Sequence, residues 1–308
     1  MTARPGVLRP DRATAAPVHE APGALELPRL DRLNRRAVLG MGIVVLFAIA
    51  GAMGAANAIS WWNQAGMTVA AGLMLLVVLE GRRAASADDL PFRRGVVVGG
   101  SIWFLIQLLV FFEQVTATEL GPIIEYPLVI ICAGACALLW RAAVRGRLSG
   151  IEASAVYLDS SIVFAAVAAG GLLALGGSVL DGPQTVYALL FAALFFGMIG
   201  ATAVLNLALA PVRSAGGWVA AVAGLFIAGL GLSAWLSDPS APGWSAGLAA
   251  ASVGAIVTGY GGATWTRAPD PSESYRHAAQ QVREALPLMA AALSPLLWVL
   301  GEILRDQI

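Results

Sequence analysis

The chain alternates long apolar runs with short polar connections, and this alternation is what most restricts its fold. Nine runs can be drawn, near 38–58, 67–79, 96–112, 123–140, 156–175, 186–210, 218–236, 244–264 and 285–304. Several reach about 18 residues, enough for a helix to cross a hydrocarbon core of about 30 Å. A transmembrane barrel would instead show strands of about 10 residues with polar and apolar side chains in alternation, and that pattern is absent. Composition points the same way: 58% of residues are hydrophobic and 12% are charged, where a soluble domain is about a quarter charged. The expected fold is all-α, a polytopic membrane helical bundle of about nine transmembrane helices arranged as successive hairpins.

Orientation follows from the arginines. All 19 basic residues are arginine. The connection at 81–95 carries Arg82, Arg83, Arg93 and Arg94, and the connections one step away on either side carry none. Cytoplasmic loops hold the excess of basic residues, so this connection and the N-terminus are placed inside. Later connections keep the register, with Arg141, Arg145 and Arg147 after the fourth run, Arg213 after the sixth, and Arg267, Arg276 and Arg283 after the eighth.

Within that frame, residues 1–36 read as a disordered cytoplasmic tail, because Pro5, Pro10, Pro17, Pro22 and Pro28 fall among scattered charges without a periodic apolar face. Residues 37–308 read as the transmembrane domain. Trp61, Trp62, Asn63 and Gln64 are placed at the turn before the second run, where paired tryptophans suit the interfacial belt. The stretch near 271–285 reads as an amphipathic cytoplasmic helix. Asp270, Pro271 and Glu273 fit a helix start, Tyr275, Ala278, Ala279, Val282 and Leu286 recur at helical spacing, and Pro287 is expected to redirect the chain into the ninth run. That run ends on the outer side, so the expectation is either a chain that ends there or, preferred, one that continues past Ile308 through a tenth helix to a cytoplasmic output domain.

A charge at the centre of a membrane helix costs about 2.5–3.5 kcal/mol on insertion scales, so polar residues in the runs are the functional candidates. Four stand out: Gln107 in the third run, Glu125 entering the fourth, Asp159 near the inner end of the fifth and Asn206 near the inner end of the sixth. Asp159 and Asn206 share one hairpin and one depth, which predicts a hydrogen bond between them as structural glue. Glu113, Glu119 and Glu125 form a candidate outward acidic patch. Cys132 and Cys136 share a helix face, but no histidine lies in any run, which removes haem ligation by His and most zinc sites. Without lysine there is no Schiff-base chemistry. With no Walker motif, nucleophile elbow or pair of inner carboxylates, no catalytic residue, metal or cofactor is expected. Gly197, Gly200, Gly224, Gly229, Gly231, Gly254 and Gly261 sit where small residues let helices approach closely. The expected partners are the lipid bilayer and a second copy docked through those glycine faces, with no nucleic acid and no nameable ligand.

Tyr157-Leu158-Asp159-Ser160-Ser161-Ile162-Val163 resembles the Leu-Asp-x-x-Ile-Val helix opening of multispan N-terminal sensor regions in bacterial signalling proteins, which precede GGDEF and EAL domains or a histidine kinase. Val186-Tyr187-Ala188-Leu189-Leu190 resembles the next helix start there, with Ala188 where that family often has proline. The resemblance implies a sensory or anchoring module of a bacterial inner membrane, with no enzymatic residue in this chain. The alternatives are a small-molecule transporter similar in plan to drug/metabolite transporters, and a structural membrane subunit.

Overall fold

The computed structural model describes residues 27–53, 56–87, 89–116, 148–175, 185–209, 215–237, 243–265 and 273–305, together with Ile130, Ala133, Gly134, Ala137, Trp140, Arg141 and Val144. All regular structure among them is helical. The continuous helices are α1 (Leu27–Met53), α2 (Ala56–Arg83), α3 (Leu90–Thr116), α4 (Gly150–Leu175), α5 (Thr185–Leu209), α6 (Ala215–Ser237), α7 (Gly243–Thr264) and α8 (Glu273–Arg305).

Four of these helices hold stretches long and apolar enough to cross a membrane: Trp62–Arg83 in α2, Leu90–Glu113 in α3, Gly150–Gly170 in α4 and Ala246–Thr264 in α7. Shorter apolar stretches occupy Phe196–Leu209 in α5 and Gly217–Gly231 in α6. The expected nine spans are thus not what the described residues carry. The expected fourth run, near 123–140, lies mostly outside the described residues, and α1 and α8 fall short for a visible reason. The first opens with Asp31, Arg32, Arg35 and Arg36, and the second carries Glu273, Arg276, Arg283, Glu284 and two internal prolines. Apolar side chains nonetheless face outward in bands, such as Val98, Leu105, Leu108, Phe112 and Val115 along α3. Contiguous exposed apolar surface of this kind is rare on soluble monomers and suits contact with lipid.

Several boundaries differ from expectation. Residues 27–36 are helical, so the segment assigned to a disordered tail supplies the first turns of α1; residues 1–26 lie outside the described residues. Trp61, Trp62, Asn63 and Gln64 are inside α2, not in a turn, and Asn63 and Gln64 are buried. Most of the 81–95 connection is also helix. Arg82 and Arg83 form the last turn of α2, where cations complement the helix dipole, and Arg93 and Arg94 fall in the first turn of α3. The separate amphipathic helix and ninth span are one helix of 33 residues, about 50 Å long. Pro287 removes one ladder hydrogen bond without ending α8.

Helices adjacent in sequence pack as hairpins, α1 on α2, α4 on α5 and α6 on α7. The central helices are α2 and α7. They touch each other, both touch α1 and α3, and α7 also carries α6. A second group, α5 with α4 and α8, joins through the α5–α6 contact. The α6–α7 pair is the closest. Gly217, Gly224 and Gly231 recur every seven residues on α6, and Gly247, Gly254 and Gly261 do so on α7. Gly224 lies against Gly254, Gly231 against Gly247 and Gly217 against Gly261, backbone on backbone. A seven-residue spacing keeps the stripe on one face over successive turns, which is why the antiparallel pair stays in contact along its length. The glycines proposed for a homodimer are used inside the chain. Gly197 and Gly200 take Phe164 and Val163 of α4, and Gly229 takes Phe196 of α5.

One end of the bundle gathers the starts of α3, α4 and α6 and the ends of α5 and α7. There Phe92, Val144, Val156, Leu205, Leu209 and Trp265 form the largest buried cluster, with Trp140, Tyr157 and Trp218 packed on it. The start of α1 joins the same end, where Leu33 meets Val77 and Ala263 and the Tyr260 hydroxyl donates to Asn34 Oδ1 at 2.5 Å.

Candidate functional site: an apolar cavity between five helices

A cavity of about 240 Å³ lies between the two groups of helices. Met74 and Val78 of α2, Gly99 and Trp103 of α3, and Gly259 and Gly262 of α7 form one side. Leu194, Met198, Thr202 and Leu205 of α5 form another, with Leu225 and Ala228 of α6. Trp140 and Trp265 close the end nearest the buried cluster.

The space follows from local sequence. Glycine leaves bare backbone at four wall positions, and Gly99 is the clearest case: a Cβ built on it meets no atom within 4 Å. Gly259, one turn from Gly262, is filled instead by the Met74 side chain of α2. The wall is almost free of polar groups. The Thr258 hydroxyl donates to the Gly254 carbonyl of its own helix at 2.8 Å. Trp140 stands edge-on to Tyr157 with centroids 5.9 Å apart, and its indole N–H is buried without an acceptor.

Arg93 closes the structure behind this end. It is 2% exposed. Its guanidinium donates to the carbonyl of Gly262, and to that of Trp265 at 3.3 Å, so it satisfies carbonyls that the end of α7 would otherwise leave unpaired. The carbon atom of the guanidinium also lies 5.8 Å from the Phe92 ring centroid. Sequence reading placed Arg93 among solvated topology arginines. Arg82, Arg83 and Arg94 are exposed, whereas Arg93 is turned inward.

The four residues singled out from sequence do not converge. Gln107 is buried, and its side-chain carbonyl accepts from Gln64 Nε2 at 3.1 Å; the Thr68 hydroxyl donates to its backbone carbonyl at 3.1 Å. Asp159 does not bond Asn206. It pairs with Arg283 of α8 at 3.9 Å, with both side chains 26% exposed. Asn206 is fully buried and neither side-chain amide atom has a partner; the same holds for the Ser160 hydroxyl. Glu125 lies outside the described residues, as do Glu119, Cys132, Cys136, Arg145, Arg147, Arg213, Arg267 and the expected helix start at Asp270 and Pro271. Among the described residues no His, Cys, Asp and Glu side chains form a group that could hold a metal ion.

Sequence reasoning missed Trp103 and Trp140 as wall residues and Gln64 as the partner of Gln107. A signal for Trp103 was present: it sits well inside the third apolar run, away from the interfacial depth where tryptophan is usual. The α4 start was also missed. Ser149 and Glu152 form a reciprocal capping box, with Ser149 N–H donating to Glu152 Oε2 at 2.8 Å and Glu152 N–H to Ser149 Oγ at 3.3 Å.

No protein-family model, curated protein or solved structure matches the chain.

Proposed function

We propose that the chain is an integral membrane sensory module that responds to an apolar molecule held between its helices. The observation that carries this reading is the position of the cavity. One wall is α5, which also packs on α4 and α8, and the opposite wall is the α2–α3–α7 core. Filling the space separates or stiffens the two groups, and α5 passes that change to α8. The Asp159–Arg283 ion pair ties α8 to α4 on the same path. In this reading the protein is a bacterial inner-membrane protein with a cytoplasmic N-terminus. Support comes from the exposed Arg82, Arg83 and Arg94, which belong to the bundle end that holds the start of α1, since basic residues mark the inner side.

A transporter calls for helices interrupted near the midplane with polar groups at the break. The five described helices that wall the cavity run without interruption, which favours sensing.

The test uses the full chain in lipid nanodiscs with Cys132 and Cys136 replaced by serine and spin labels at Leu76→Cys and Leu158→Cys, two exposed positions on α2 and α4. Gly99→Phe fills the cavity from its open side. The sensory reading expects the label–label distance distribution to shift. An unchanged distribution in the folded variant sinks it and leaves a structural subunit.

A further inference from the structure

Resting on the sensory reading, we infer that the cavity takes an uncharged, largely hydrocarbon molecule of about ten non-hydrogen atoms that presents one hydrogen-bond acceptor to the indole N–H of Trp140.

Size comes first. An apolar cavity of about 150 Å³ holds benzene. The 240 Å³ here suits a fused bicyclic ring, and Gly99 leaves bare backbone for a flat face to lie against. Charge comes second. No ionisable side chain is among the wall residues, and an unpaired charge transferred into such a space loses its hydration without compensation. Arg93 lies close to Phe92 and Trp265 but is not among the wall residues, and its two terminal nitrogens donate to the carbonyls of Gly262 and Trp265.

The acceptor comes third. Thr258, one of two threonines on the wall, has already given its proton to Gly254. The Trp140 N–H is buried and without a partner, although buried indole N–H groups usually find one. A water is a poor substitute, because it needs two to four polar partners and apolar cavities stay dry. The Trp140 ring lines the cavity while its nitrogen is covered, so the indole turns to present its N–H to a carbonyl or ether oxygen inside. A ketone on a fused hydrocarbon ring meets all three conditions.

The experiment measures binding of 1-tetralone and of tetralin, which lacks the carbonyl, to the full chain in nanodiscs by equilibrium dialysis against protein-free nanodiscs. Tetralone is expected to bind about tenfold more tightly, the equivalent of one hydrogen bond of about 1.4 kcal/mol. Trp140→Phe keeps an aromatic ring without the N–H, and is expected to erase the difference while tetralin still binds. Gly99→Phe is expected to abolish binding of both. Equal binding of the two compounds by the unaltered chain overturns the acceptor and leaves the sensory reading standing. Binding of 2-naphthoate as tight as that of tetralone overturns the requirement for an uncharged molecule. Binding of neither compound overturns the inference as a whole, while the Gly99→Phe distance measurement still decides the sensory reading. Should Trp140→Phe not fold, the ratio in the unaltered chain decides.

Discussion

The side-chain amide of Gln64 in α2 donates to the side-chain carbonyl of Gln107 in α3 at 3.1 Å, and both residues are buried. Gln64 reaches the Gln107 backbone carbonyl as well, at 3.3 Å, and the Thr68 hydroxyl shares its proton between that carbonyl at 3.1 Å and the Gln64 carbonyl at 2.9 Å. The Gln64 amide, the Thr68 hydroxyl and the Gln107 side-chain carbonyl are thereby satisfied inside the bundle. The cluster fastens the pair of helices that walls one side of the cavity.

Gln107→Leu leaves the Gln64 amide short of its side-chain acceptor. The expected loss is about 1–3 kcal/mol, the cost of an orphaned buried polar group. The double variant Gln64→Leu/Gln107→Leu is expected to recover most of it. A coupling of about 0.6–1.7 kcal/mol is expected from the double-mutant cycle, the range for hydrogen bonds between membrane helices. Unfolding in detergent micelles measures it, and additive single effects would refute the bond.

Gly254→Ala and Gly224→Ala are expected to destabilise the protein by about 1–3 kcal/mol. A methyl group on either meets backbone of the facing helix, which has no rotamer to yield. Gly99→Ala, where a Cβ meets nothing, is expected to be neutral or to stabilise by up to about 1 kcal/mol from helix propensity. Thermal unfolding of the three variants side by side checks the contrast.

Arg93→Met removes the donors to Gly262 and Trp265 and keeps much of the side-chain volume. The last turn of α7 is expected to lose amide protection in hydrogen exchange, with a global loss of about 1.5–3 kcal/mol for hydrogen bonds to a charged group. Arg93→Lys is not expected to restore it, because a single ammonium does not reproduce the guanidinium fork. Arg94→Ala, exposed one position on, serves as the control and is expected to change neither.

Asn206→Leu is expected to stabilise the fold by about 1–2 kcal/mol, since it removes two buried polar atoms that lack partners. A clear loss of stability instead would mean that Asn206 is hydrogen-bonded in the membrane, with Ser160 the first residue to examine by a double variant.

Much of the fold could be read along the chain because apolar periodicity is local. The helices at 150–175, 185–209, 215–237 and 243–264 begin and end within about six residues of the apolar runs drawn for them. Other boundaries were hidden. Asn63 and Gln64 interrupt the apolar pattern and read as a turn, yet both are buried within α2 and the Gln64 amide is satisfied across to α3. Asp159 and Asn206 matched in depth, but depth fixes only the height of a residue on its helix. Its direction around the helix depends on which neighbour packs where, and Arg283, 124 positions further along the chain, took the carboxylate.

The sequence by itself determined an all-helical chain suited to a bilayer, the hairpins formed by the first and second, fifth and sixth, and seventh and eighth runs, and the arginines of α1, α2 and α3 at one end. Those properties depend on residues within a few turns of one another. The tertiary structure alone decided that Arg93 turns inward while Arg94 stays out, that two glycine stripes meet residue for residue, and that a space remains beside Gly99. Each of these is set by the distance and rotation between helices far apart in the chain. Close backbone packing at Gly224 and Gly254 and its absence at Gly99 come from the same residue type, and only the neighbouring helix makes one a contact and the other a cavity wall.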